Sequence, residues 1–197
     1  MPARNNDARA RFAELRTSLR LPIAVAPMFL VSGPDIVTAS ARAGVIGAFP
    51  STNARTIDIF EDWLYRISGE ISLMREKQVP GATDVWAQNL IVHSTYERLD
   101  AELALLQKYR PQIVITALGN PARVIDAVHD YGGLVIADVN SVKLARKAAE
   151  AGADGLALVS AGAGGHTGEM AGFAFVPAVR EFFDGIVILA GAISDGR

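Results

Sequence analysis

Cysteine is absent from the 197 residues, which excludes a disulfide framework, a thiolate nucleophile and cysteine-ligated zinc. Charged residues make up only 20% of the chain and the formal net charge is −2, with no basic patch of the kind a nucleic-acid surface needs. No run approaches the roughly 18 apolar residues of a membrane span. The charged opening, Met1 to Phe12, lacks the apolar centre of a signal peptide. H-E-x-x-H, a paired ligand cluster and G-x-S-x-G are also missing, so no metal is expected and a serine hydrolase finds no support. The expectation is a soluble, cytoplasmic protein with no nucleic-acid or membrane partner.

What is abundant is apolar residue, 50% of the chain, together with 18 glycines. That content suits one packed domain over 1–197 rather than disorder. Phe12, Leu15 and Leu19 recur at helical spacing within residues 1–20, which predicts an N-terminal amphipathic helix packed under the floor of the fold. From residue 21 onward, seven short apolar runs read as strands: 23–28, 45–50, 85–90, 113–118, 134–139, 155–160 and 186–191. Helical patterns over 35–43, 56–77, 97–109, 121–131, 141–151 and 175–183 separate them. Continuous apolar strands alternating with amphipathic helices are the pattern of a parallel sheet covered by helices.

A doubly wound open sheet and a (β/α)8 TIM barrel both alternate in this way, and the polar residues favour the barrel. Met28, Asn53, Gln88 with Asn89, Asp138 with Asn140, His166 and Gly191 lie at or just beyond the carboxyl ends of six different strands. An open sheet gathers its site at one switch point, whereas a barrel collects residues from many strand ends. The expected fold is therefore a TIM barrel truncated after about the seventh strand. Residues 21–197 would form β/α units 1 to 7, with the eighth strand and any lid absent.

The richest stretch is Gly155 to Gly168, in which a buried strand runs into a loop with glycines at 162, 164, 165 and 168 around His166. Glycines let a flat or anionic ligand approach the main chain, and a neutral imidazole can take a proton near neutral pH. A cofactor loop carrying a base and a mobile surface loop with a solvated histidine both fit that pattern. Barrel enzymes hold phosphorylated cofactors with backbone amides from the last βα loops; Gly191 occupies one such place, and Gly162, Gly164 and Gly165 can approach the same group. Asn53, Gln88 and Asn89 either make turns and caps or hydrogen-bond a flat heterocycle across the barrel mouth. Asp138 either contacts a ligand, as Lys143 also can, or caps the helix that begins near Ser141. His93 and His129 read as surface residues, His129 on a charged helix face.

Four stretches together resemble the nitronate monooxygenase family, formerly 2-nitropropane dioxygenases. They are Ala26-Pro27-Met28, Gly162-Ala163-Gly164-Gly165-His166-Thr167-Gly168, Phe173-Ala174-Phe175-Val176-Pro177, and the ending Ala190-Gly191-Ala192-Ile193-Ser194-Asp195-Gly196. The resemblance spans essentially the whole chain. It implies an FMN-containing TIM barrel that uses O2 to oxidise alkyl nitronates, and sometimes nitroalkanes, to carbonyl compounds and nitrite. It implies that His166 is the active-site base for the proton α to the nitro group. FMN contacts would fall on Pro27, Met28, Asn53, Gln88, Gly162, Gly164, Gly165 and Gly191. The sequence departs from the pattern at Ala192, where many relatives have a second glycine. The resemblance further implies an eighth strand whose loop completes the phosphate site, so that the chain is a fragment or another segment fills the gap; a homo-oligomer or a missing C-terminal segment is the expected partner. FMN-dependent enoyl-acyl-carrier-protein reductases, which use NAD(P)H, share the G-G-H-x-G loop and are the alternative enzyme; a non-catalytic barrel is the alternative of a different class.

Overall fold

In a computed structural model, residues 2–191 and 193 are described, and Ala192 and Ser194 to Gly196 of the proposed phosphate loop lie outside them. The apolar runs form six strands: β1 (Gly47–Pro50), β2 (Trp86–Ile91), β3 (Ile113–Ala117), β4 (Leu134–Val139), β5 (Gly155–Val159) and β6 (Ile186–Ala190). They pair in chain order, every neighbour parallel. Each connection carries a helix: α3 (Ile57–Glu76), α4 (Leu99–Tyr109), α5 (Ala122–Asp130), α6 (Val142–Glu150) and α7 (Gly172–Arg180). Two further helices, α1 (Pro2–Thr17) and α2 (Pro34–Ala43), precede β1. A parallel sheet whose strands follow one another without a reversal of order is the wall of a barrel, here a half-barrel.

The first predicted strand is corrected by the structure. Residues 23–28 make a single parallel bridge, Ala24 to Ile46, flanked by Val25 N–H to Ile46 O (2.8 Å) and Ile46 N–H to Ile23 O (2.9 Å). Pro22 and Pro27 bracket the segment and have no amide hydrogen to donate, so the ladder cannot lengthen in either direction. The predicted helix over 175–183 is also displaced, forming from Gly172 to Arg180.

Strand alternation divides the core into an inside and an outside. Ile46, Ala48, Val85, Ala87, Ile113, Ile115, Leu134, Ile136, Ala157 and Ile186 form the inner cluster. Ala8 of α1 is buried in this cluster, with Phe12, Leu15 and Leu19 packed against it, so the N-terminal helix closes the floor as its spacing predicts. The outer-facing residues Phe49, Trp86, Leu90, Val114 and Val135 pack instead with the helical layer, including Phe60, Leu64 and Leu106. Among the described residues no helix is long and apolar enough to cross a membrane.

Candidate functional site at the barrel mouth

The carboxyl ends of the strands and the loops that leave them form the mouth. Beyond β5 the chain turns through Gly162 (φ 92°) and Gly165 (φ 71°), and beyond β6 through Gly191 (φ 129°). All three sit in the left-handed region that side chains disfavour. A Cβ on Gly191 would lie 2.6 Å from Ser160 Oγ and 3.2 Å from Ala163 N, so this glycine and the glycine loop are brought side by side. Ser160 ties the two tips together: its amide and its hydroxyl both donate to Ala190 O, each at 2.8 Å. At Gly164 and Gly165 a Cβ would meet nothing within 4 Å, leaving the main chain open to a ligand.

His166 lies in this loop and is exposed. The next residue anchors it: Thr167 Oγ1 donates to Ser160 O at 3.2 Å, and Asn140 Nδ2 donates to Thr167 O at 3.5 Å. The histidine is therefore carried across the tips of β4 and β5.

On the opposite flank, Pro27 is half-buried and Met28 is 41% exposed. Asn53 reaches them but commits its amide to the chain itself: Nδ2 donates to Met28 O (3.0 Å) and Ser32 O (2.7 Å), and Oδ1 accepts from Leu30 N–H (2.9 Å). Both amide hydrogens are thus spent on holding the Met28–Ser32 loop.

Gln88 is corrected more sharply. It shares the outward parity of Trp86 and Leu90 and lies opposite Phe49, has no exposed surface, and donates from Nε2 to Phe49 O (2.9 Å) and Asn89 O (3.0 Å). A side chain sealed on the helical side of the wall does not meet a heterocycle at the mouth. Its neighbour Asn89 has the inward parity of Ala87, and its Nδ2 crosses to Ile115 O at 3.2 Å.

Asp138 also faces inward, opposite Ala157 in the register. It does not cap α6, because Ser141 does so, accepting from Leu144 N–H at 3.4 Å. Its carboxyl makes no hydrogen bond among the described residues, and burial pushes its pKa up to about 7. Lys143 is exposed on α6. His93 is exposed and bonds Thr95 Oγ1 at 2.8 Å. His129, expected at the surface, is only 21% exposed and lies 2.8 Å from Asp154 Oδ2, which also accepts from Val135 N–H; it is a strut between α5 and the start of β5. Among the described residues no cluster of three His, Asp or Glu side chains is arranged to hold a metal.

Parallel strands in chain order, a helix across the floor and a glycine-lined mouth define a partial TIM barrel. The nitronate monooxygenase family model matches residues 13–197, and the chain belongs to that family. It is 28% identical over 206 residues to a nitronate monooxygenase of Neurospora crassa, covering 87% of this chain and 53% of that protein. It is also 28% identical over 181 residues to the (3aS,4S,5R,7aS)-5-hydroxy-7a-methyl-1-oxo-octahydro-1H-indene-4-carboxyl-CoA dehydrogenase of Mycobacterium tuberculosis, covering 89% of this chain and 46% of that one. Among solved structures, FabK from Thermotoga maritima superposes with a TM-score of 0.75 at 25% identity, over 93% of this chain and 55% of that one. The chain spans about half the length of the relatives it matches.

The mouth fits a phosphorylated flavin at two places. The main chain at Gly164 and Gly165 is open, as an anionic group approaching backbone amides requires, and the inward polar side chains of Asn89 and Asp138 offer hydrogen-bonding groups to a ring or polyol.

Proposed function

We propose that this chain serves the FMN-dependent oxidation of alkyl nitronates, and of neutral nitroalkanes, by O2 to carbonyl compounds and nitrite. The observation that carries the proposal is His166 on an exposed glycine loop, beside Gly191, in a chain matched by the family model over residues 13–197. Gly162, Gly164, Gly165 and Gly191 would hold the FMN phosphate, with Pro27 and Met28 against the ring. When bound, FMN supplies the electron transfer between substrate and O2, which no amino-acid side chain provides.

The protein's own contribution is positioning and proton transfer. A neutral His166 imidazole accepts the proton from the carbon α to the nitro group. A nitronate arrives without that proton, so toward it His166 acts only as a hydrogen-bonding group. Replacing His166 by Ala is therefore expected to lower turnover of a neutral nitroalkane by about 100-fold or more, the usual range for a general base. Turnover of the matching preformed nitronate should fall far less, measured as aerobic nitrite release. Equal losses on both substrates would reject the base assignment.

A second enzyme assignment is favoured by the carboxyl-CoA dehydrogenase relative: an NAD(P)H-linked flavoenzyme acting on a thioester, such as an enoyl-acyl-carrier-protein reductase. Anaerobic bleaching of bound flavin by NAD(P)H would support it, and nitrite release without nicotinamide would exclude it. Purified protein without flavin absorbance would leave the non-catalytic barrel.

A further inference from the structure

Behind the mouth, on the helical side of the wall, a buried polar cluster takes no part in the proposed chemistry. Glu102 on α4 has no exposed surface. Its Oε1 accepts from the Tyr96 hydroxyl at 2.7 Å and lies 3.2 Å from Arg98 Nη2, and its Oε2 accepts from Ser51 Oγ at 3.0 Å. Desolvation pushes the Glu102 carboxyl above its ordinary range and the Tyr96 hydroxyl up to about 12. A carboxyl taken out of water is tolerated only where its partners are fixed, so this cluster is a rigid point in the fold.

What it holds is the turn after β1. Ser51 opens the 3-10 turn Ser51–Asn53, and Arg98 Nη1 donates to Ala54 O at 3.0 Å and Arg55 O at 3.4 Å. The segment 51–55 is therefore pinned at both ends from α4 and the loop before it. Asn53, in the middle of that segment, clamps Met28, Leu30 and Ser32 through the three bonds described above. The clamped loop resists its own conformation. Leu30 sits at φ 63°, a left-handed backbone that residues with a side chain disfavour. Met28, Phe29, Leu30 and Val31 are 41%, 59%, 67% and 63% exposed. Such strain persists only where surrounding bonds over-determine it, and it is typical of functional sites. A further contact comes from Arg55, whose guanidinium stands 5.9 Å from the centre of the Phe29 ring.

We infer that Glu102 is a positioning residue: through Ser51 and Asn53 it holds residues 28–31 as a strained apolar lip at the barrel mouth. Only the statement that this lip borders a flavin site rests on the proposed function; the positioning role stands apart from it.

Amide hydrogen exchange on the 197-residue chain tests the role without flavin or substrate. The Leu30 amide is bonded to Asn53 Oδ1, so it reports the clamp directly. Asn53→Ala and Glu102→Ala should each speed Leu30 exchange about tenfold or more, and the double variant should be no faster than Asn53→Ala. Exchange in β3 and β4 should change less than about twofold, and Glu102→Gln, which keeps an acceptor for Ser51 or Tyr96, should restore part of the protection. Unchanged Leu30 exchange in Glu102→Ala, a uniform loss of protection that includes β3 and β4, or additive effects in the double variant would overturn the inference. Should Glu102→Ala fail to fold, Ser51→Ala and Tyr96→Phe each remove one bond to the same carboxyl, and unchanged Leu30 exchange in both would be equally decisive.

Discussion

Asp138 shows how one side chain acquires two uses from its place on a strand. On the inner face of β4, among apolar neighbours, its carboxyl is raised from 3.8 to about 7. The folded chain therefore keeps a proton over a pH range in which the unfolded chain has released it. Stability is full below about pH 4 and declines as pH rises through about 7. Asp138→Asn removes the titration, so its stability relative to the natural chain should be unchanged near pH 4 and higher near pH 8. A gain of about 1–3 kcal/mol is expected, reduced by the part-exposure of the carboxyl, and denaturant melts at the two pH values would measure it. An identical difference at both pH values would show that the carboxyl titrates normally. The sequence displays Asp138 at a strand end but not whether it caps or faces the mouth, because Ser141, three residues on, offers the same capping chemistry. The Gln88 and Asn89 pair was illegible for another reason. Trp86 to Leu90 are all buried, so the strand lacks the polar and apolar alternation that distinguishes inside from outside. For His129, the partner Asp154 lies 25 residues away in the sequence, and local charge says nothing about it.

Among the elements, the loop between β5 and α7 is defined by which of its glycines are crowded. A Cβ on Gly168 would stand 2.1 Å from Val159 O and 3.2 Å from Asn140 O, both backbone atoms, whereas one on Gly164 would meet nothing. Gly168→Ala must push two strand tips apart and should cost about 2 kcal/mol or more, as overpacking does, while Gly164→Ala should change stability by less than about 0.5 kcal/mol. Thermal melts of the two variants provide the comparison, and equal effects would mean that the loop is not seated on β4 and β5. The later strands were legible because apolar runs bounded by Gly119, Gly132, Gly152 and Gly185 leave little choice of register or boundary. The segment 23–28 carries the same apolar signal, but its prolines cancel the hydrogen bonds that signal assumes. Glu102 left a trace that can be read: it lies between Leu99 and Leu106 on the buried stripe of α4, and a carboxylate in an apolar stripe announces a partner.

Across the whole molecule, the wall of parallel strands is completed underneath by a helix from the far end of the chain. Ala8 is 3% exposed within the inner cluster, so a carboxylate there would be driven into the barrel floor. Ala8→Glu should lower the melting temperature by about 10 °C or more, whereas Arg9→Glu, on the exposed side of the same helix, should change it by less than about 2 °C. Comparable melting temperatures would place α1 off the floor. The barrel class itself was legible because it depends on the order of elements and on polar residues at many strand tips, both of which survive in one dimension. The contents of the mouth depend on which way individual side chains turn, and that is set by pairing across strands.

The floor helix also has a kinetic consequence. Arg11 of α1 donates to Gly133 O, 122 residues away, and α1 also contacts β6, the last of the six strands. Part of the surface this helix docks on therefore exists only after strands far apart in the sequence have paired. Loop closure on that scale is slow, and until it happens the underside of the barrel wall stands open to water.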